Sequence, residues 1–457
     1  MSFDNMQNSV YLGAKMRIGI FFLFLFFLFL SFSDIYYLYI GVISTLFLFV
    51  ALSSIRQTNT LNFNVLFYTM GMLYAIGPLL SALSGNLSRS VVDNHIGLIL
   101  YVIIAMLSFL IGYHATNKPK FHKKKHLSVN PNSFSLLLIL DVLMFIYVAS
   151  KLYIISRIGL YAFIENGRGM TKMEIGESFG FLNIFDTVVY LVEVMSLEFY
   201  LLTRKTKNHN RVHYLLLFIS SVVFSVGFSL LQVDRSQLLL SLLPLVFILN
   251  YHDLLSLRTI ALSGVALFVL FVVWKQLIAG LIMGTIHSLN DLQAETPDEL
   301  VAWFHVGCDV TDGLENGNID YLYGYSYLMA LESFFNPLWQ HYEALSTWYV
   351  RVFRPDMFEH GGGKGFSCVV EAVLNFGFLG PTIVFGFLGS MIKRIESHIS
   401  TSILYRCFYA LLISLIYKFF RSEMYSVAKL SFWTWAVPLF FIWWTSKKRR
   451  RMNYVHK

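Results

Sequence analysis

The sequence predicts an all-α, polytopic membrane bundle of about twelve spanning helices with one large, partly helical loop. Three observations carry that prediction. Hydrophobic residues make up 56% of the 457 and charged residues 14%, against about 25% charged in an ordinary globular chain. Apolar runs recur near the ~20 residues needed to cross a bilayer core. Lys and Arg gather in short runs between those blocks, as loops facing the cytoplasm require. With 43 Phe and a mean hydropathy of +0.61, too little polar surface remains for a water-soluble body. Disordered, coiled-coil, collagen-like and disulfide-framework readings fail on the same figures.

Spans are expected at 18–33, 36–54, 62–83, 95–115, 133–155, 182–203, 213–231, 236–250, 259–283, 366–390, 401–419 and 427–445. The first follows Met1–Arg17 without a small-residue cleavage site, so it reads as a retained span and not as a signal peptide. The first pair and the 213–250 pair are tight hairpins, and 236–250 is the shortest. Five Lys between 118 and 125 separate the fourth and fifth spans, and Lys447–Arg451 open the basic tail. With the N-terminus inside, 21 of the 35 cations fall on inner segments and nine on outer ones. Both termini are then cytoplasmic. The chain divides into 1–283 (spans one to nine), 284–365 (the large outer loop) and 366–457 (spans ten to twelve with the tail).

The large loop holds 12 of the 27 acidic residues, three tryptophans and the tyrosines Tyr321, Tyr323, Tyr325 and Tyr327. Its apolar spacing predicts a helix over 325–348. A loop this long in an otherwise economical chain is usually functional. The outer aromatics suit either an interfacial belt or a platform for sugar rings. No internal repeat is visible, so an inverted-repeat transporter gains no support.

Chemistry concentrates where this loop re-enters the membrane, at His360-Gly361-Gly362-Gly363-Lys364-Gly365-Phe366-Ser367. Four glycines in five positions leave backbone amides bare for an anion, although such a run is by itself more often a hinge. Ser367, Glu371 and Asn375 follow at intervals of four, on one helix face. An acid inside a span costs roughly 2.5–3.5 kcal/mol, so it seeks a partner or a wet cavity. Its bland alternative is an interhelical hydrogen bond. Gly377, Gly380, Gly386 and Gly389 further along would permit close helix contact. HGGG lacks the GxSxG partner of a lipase, and no phosphate-binding GxxxxGK[ST] is present.

A second group is cationic. Arg235, Arg351, Arg354 and Arg421 lie at the outer ends of separate spans, the side the topology rule depletes, with Lys275 and Lys429 near that level. Single arginines there usually snorkel to headgroups. Several at one depth suit a diphosphate, which guanidinium groups grip bidentately. Asp309 and Asp312 have a spacing that could hold a divalent cation, but a solvated loop face explains them better. Cys308, Cys368 and Cys407 form no CxxC pair; a Cys308–Cys368 disulfide needs both in an oxidising compartment. No metal and no cofactor is expected.

Across roughly 230–430, "DRSQLLLSLLP", the long loop, "GGGKGFSCVVEAVLNFGFLG" and "KFFRSEMYSVAKL" resemble the bacterial O-antigen polymerases, the Wzy-type oligosaccharide repeat-unit polymerases. The Gly-rich segment through Glu371 and Asn375 is the specific part. The resemblance implies a GT-C-like, metal-independent glycosyltransferase of the inner membrane with a periplasmic active site. It would transfer a growing chain en bloc from undecaprenyl diphosphate to the next lipid-linked unit, with a chain-length regulator as partner. On that reading Arg235 and Arg421 face the diphosphate, and Arg354, Arg351, Gly361, Gly362, Gly363, Gly365, Ser367 and Asn375 line the substrate. Glu371 or His360 serves as base. O-antigen ligase, lipid-linked oligosaccharide flippase and a non-catalytic assembly role are the alternatives.

Overall fold

The computed structural model describes residues 22–58, 61–116, 134–160, 185, 187–204, 209–231, 235–260, 262–263, 289–335, 343–359 and 365–445. Of these, the side chains of 52–58, 158, 235, 289–299, 333–335 and 359 fall outside the description. Among the described residues there is no strand. The principal helices are α1 (Ile35–Thr58), α2 (Phe63–Leu83), α3 (Ile96–Ala115), α4 (Phe134–Ile158), α5 (Val188–Thr203), α6 (Arg211–Leu231) and α7 (Arg235–Tyr251). They continue with α8 (Leu289–Glu315), α9 (Tyr325–Phe335), α10 (Leu345–Phe353), α11 (Cys368–Phe376), α12 (Gly380–Glu396), α13 (Ile403–Ser414), α14 (Ile416–Arg421) and α15 (Met424–Ser431). The chain is an all-α integral membrane protein.

Seven described helical stretches are long and apolar enough to cross a bilayer, and Ile35–Ala51 and Ser236–Tyr251 are shorter apolar helices. Eleven of the twelve predicted spans coincide with described helix over at least half of their length. The run 259–283 lies almost wholly outside the described residues, so twelve remains an expectation.

Three predicted elements differ in shape. The tenth span is bent: α11 stops at Gly377, where φ is +59°, and a short 3₁₀ turn leads into α12. A Cβ on Gly380 would stand 1.9 Å from the Ala372 carbonyl, so the chain can bend this sharply only because glycine has no side chain. The twelfth span passes through a π-turn at Phe432–Ala436. The helix read over 325–348 is two helices, α9 and α10, because a new one starts at Leu345.

Close packing of the spans rests on small residues, as the glycine spacing predicts. A Cβ on Gly112 would meet the Gly386 carbonyl at 1.9 Å, and one on Gly389 the Phe109 carbonyl at 2.1 Å. The backbones of α3 and α12 are therefore in contact, with Ser390 Oγ donating to the Gly112 carbonyl at 3.0 Å. The large loop is equally part of the core. Helix α8 buries Val301, Trp303, Phe304, Val306 and Val310; Gly77 of α2 lies against its Leu300, and its Gly307 lies against Leu98 of α3.

These contacts define a loop end of the bundle, where α3 begins and α8 docks. Helix α2 starts at the opposite end, where the preceding Leu61 amide donates to Asn250 Oδ1 near the close of α7 and the helix's own Phe63 amide to Tyr409 Oη of α13. Tyr74, further along α2, stacks on Phe420 at 5.3 Å. So α2 and α13–α14 rise toward the loop end together. Helix α7 runs the other way and begins, at Arg235, on that same end.

Candidate functional site

Ser367, Glu371 and Asn375 descend one face of α11, and all three are buried. Ser367 caps the helix, its Oγ accepting from the Val369 amide at 3.1 Å. Glu371 accepts from Ser326 Oγ at 2.7 Å through Oε1 and from the Met424 amide at 2.5 Å through Oε2. Asn375 accepts from the Gly324 amide at 3.0 Å and donates to Ser326 Oγ and to the Glu371 carbonyl, both at 2.8 Å. One serine hydroxyl thus uses both its donor and its acceptor capacity. The three polar side chains join α9 and the start of α15 to α11. Glu371 is fully enclosed with a donor on each oxygen, an arrangement that fits the interhelical hydrogen bond better than an open base.

The segment between α14 and α15 is held a second time. Glu423 is buried and accepts from the Ser346 amide at 2.8 Å in the first turn of α10, where unpaired amides favour an anion. Just before the two clamped residues lies Arg421, exposed at the end of α14. Gly365 packs directly on it: a Cβ there would stand 2.5 Å from the Arg421 carbonyl oxygen. The end of the glycine run and Arg421 are therefore adjacent. Phe366 is buried beside them, edge-on to Tyr349 at 6.3 Å.

The other arginines arrive with carboxylates. Arg354 donates to Asp309 Oδ2 at 2.8 Å, and Tyr349 Oη donates to the same oxygen. Burial, then that carboxylate, push the Tyr349 phenol above its ordinary value. Arg351 makes a bidentate pair with Glu343 at 2.8 and 2.7 Å, which holds its guanidinium above the usual value. Asp312 pairs with His95 at 2.9 Å. The two aspartates read as a weak cation pair thus answer different partners, and no group of three or more metal-ligating side chains occurs among the described residues.

Of the sequence-derived set, the structure brings together Arg421, Gly365, Ser367, Glu371 and Asn375, with Arg354 linked through Asp309, Tyr349 and Phe366. Arg351 is turned to Glu343 on the exposed surface. His360, Gly361, Gly362, Gly363 and Lys364, the Arg235 side chain and Lys275 lie outside the described residues. The cysteine pairing that the sequence leaves open is not made: Cys308, Cys368 and Cys407 are free buried thiols, and Cys368 Sγ donates to the Ser422 carbonyl at 3.0 Å. Burial, then Asp312 and Asp309, push the Cys308 thiol to about 12, so it stays protonated.

Ser326 and Glu423 were not singled out by sequence, and Asp309 was read only as half of a weak cation pair, not as the partner of Arg354. The sign present for Glu423 was its place two residues after Arg421 in an apolar context. Ser326 gave none, because a serine in a tyrosine run is unremarkable until its partners are known.

No curated protein and no solved structure matches the chain. Residues 303–451 match the family O-antigen polysaccharide polymerase Wzy. That stretch contains α9 to α15 and every site residue named above except Arg235, Lys275 and His95. Over residues 303–451, then, the chain is similar to the Wzy-type O-antigen polymerases, the family its sequence resembles.

Proposed function

We propose that the chain polymerises undecaprenyl-diphosphate-linked oligosaccharide repeat units on the periplasmic face of the inner membrane. The family match supports polymerisation. The observation that carries the site is the contact of Gly365 with Arg421, beside the bundle end from which α7 starts at Arg235.

In the transfer, the bond between the donor sugar C1 and the diphosphate oxygen breaks, and its electron pair leaves with undecaprenyl diphosphate. An acceptor hydroxyl oxygen bonds to C1 and its proton passes to a base. Negative charge grows on the leaving diphosphate, so fixed cations and bare amides there are the strongest available stabilisers. Arg421 and Arg235 take that role, with Arg354 as a third contact oriented by Asp309. The amides of Gly361, Gly362, Gly363 and Gly365 share it. Because both Glu371 oxygens are engaged, His360 is assigned as base and Glu371 as a positioning residue that fixes the Arg421–Met424 segment. A chain-length regulator is the expected partner.

The test is complementation of a deletion strain. Loss of a polymerase leaves lipid A–core bearing one repeat unit, whereas loss of a flippase or ligase leaves none. Arg421→Ala and Arg235→Ala each lower extension about a hundredfold or more, the scale of one removed charge-stabilising donor, while the protein still inserts. A normal ladder in both variants contradicts the assignment.

A further inference from the structure

The segment joining α8 to α9 carries a feature that the transfer chemistry does not use. Tyr323 is one of two non-glycine residues among the described ones with positive φ, at +47°. For a bulky side chain this is a true outlier, costing roughly 1–2 kcal/mol. Glycine or asparagine would make the same turn without that cost. Burial does not compensate, because the Tyr323 ring is 80% exposed. Strain of this kind persists where surrounding contacts impose it, and it clusters at ligand-handling sites.

Those contacts are present on both sides. At one end the segment is tied to the close of α8, the Asn318 and Ile319 amides donating to the Gly313 carbonyl at 2.8 and 3.1 Å. At the other, the Leu322 amide donates to the Leu374 carbonyl at 3.0 Å and the Gly324 amide to Asn375 Oδ1 at 3.0 Å. The turn is thereby fastened to α11, the helix that begins beside Arg421. Tyr321 and Tyr325 flank it, 42% and 56% exposed. The Tyr321 and Tyr323 rings stand 6.2 Å apart and inclined at 56°, so they do not cover each other's faces.

What lies between the rings separates two occupants. Asn318 and Asp320 are exposed in the same turn, and Glu315 and Asn316 just before it. A lipid-facing belt gains nothing from carboxylates and amides interleaved with its rings. A sugar uses both, since its C–H face lies on an aromatic ring while its hydroxyls bond to carboxylate and amide oxygens. We infer that Tyr321, Tyr323 and Tyr325, with Asn318 and Asp320, form a carbohydrate subsite that holds a stretch of glycan away from the reacting bond. This rests on the polymerase reading and adds to it a residue-level place for the chain.

The strained backbone supplies a test in which stability and binding move in opposite directions. Full-length protein in detergent is titrated with lipid-free polysaccharide released by mild acid from the host strain's lipopolysaccharide, and thermal unfolding is followed in parallel. Tyr323→Gly keeps or raises the unfolding temperature and weakens polysaccharide binding about fivefold, the size of one aromatic contact. Tyr323→Phe restores the binding, and replacement of all three tyrosines by alanine abolishes it. Unchanged affinity in the triple variant overturns the subsite, as does an absence of polysaccharide binding by the parent. Triple-variant protein that binds normally but loses stability only in lipid nanodiscs identifies a membrane belt instead. Failure of the polymerase reading is distinguishable: Arg421→Ala then retains its ladder, whatever the tyrosine variants bind.

Discussion

Glu371 accepts a hydrogen bond on each carboxylate oxygen, from a serine hydroxyl and a backbone amide, with no exposure to solvent. Glu371→Gln turns one acceptor into a donor facing Ser326 Oγ or the Met424 N–H. Leaving such a buried group unpaired costs about 1–3 kcal/mol. Lower unfolding temperature and reduced membrane levels are therefore expected, with chain extension per molecule retained. Extension lost at full stability would instead make Glu371 the base. Gly365→Val drives a side chain into the Arg421 backbone, so it should abolish the ladder as Arg421→Ala does. Normal lengths in Gly365→Val would show that the close approach is dispensable. His95 makes a different kind of contact: Nδ1 lies 2.9 Å from the Val91 carbonyl and Nε2 2.9 Å from Asp312 Oδ1. Both partners only accept, so the doubly protonated ring satisfies them. Burial lowers its pKa, but the bonds to Asp312 and Val91 and the charges of Asp312 and Glu315 raise it on balance. The raised folded value means that this pair's stabilisation is complete below the ordinary 6.5 and is lost as pH rises through the folded value. Thermal unfolding scanned from about pH 5 to about pH 8 should show that loss, and His95→Gln should flatten it.

At the scale of elements, helices α3 and α12 touch backbone to backbone, and the cost of separating them is unevenly distributed. Gly112→Ala places a methyl 1.9 Å from the Gly386 carbonyl, whereas the nearest atom to a methyl at Gly386 is the Ser108 carbonyl oxygen at 3.7 Å. Gly112→Ala is expected to destabilise by about 1–3 kcal/mol, the range for overpacking, and Gly386→Ala to be nearly neutral. Equal unfolding temperatures for the two variants would contradict this interface. Long apolar blocks such as 95–115 and 213–231 are legible in sequence because hydropathy over about 20 residues is a local property. The bend at Gly377 is not, since it depends on Gly380 meeting Ala372 in space. The same distinction explains the site. The i, i+4, i+8 spacing announces that Ser367, Glu371 and Asn375 share a face, but not that Ser326 waits opposite. Likewise Arg354 is visible as an unusual outer cation, while its pairing to Asp309 across 45 residues is set by how α8 docks.

For the molecule as a whole, the loop that composition marks as separate is built into the bundle, α8 lying between α2, α3 and α11. Helix α8 packs on α11 and α14, and the ends of α7, α11 and α14 lie on one side of the bundle, where the diphosphate is proposed to bind. The most direct measurement of that arrangement is extension by purified protein supplied with undecaprenyl-diphosphate-linked repeat units, the products being separated by size. The parent is expected to give a ladder of whole repeat units, and protein carrying Arg235→Ala with Arg421→Ala to return only the starting unit. A ladder of the same length and yield from the doubly substituted protein would contradict the convergence of these two arginines on one lipid diphosphate.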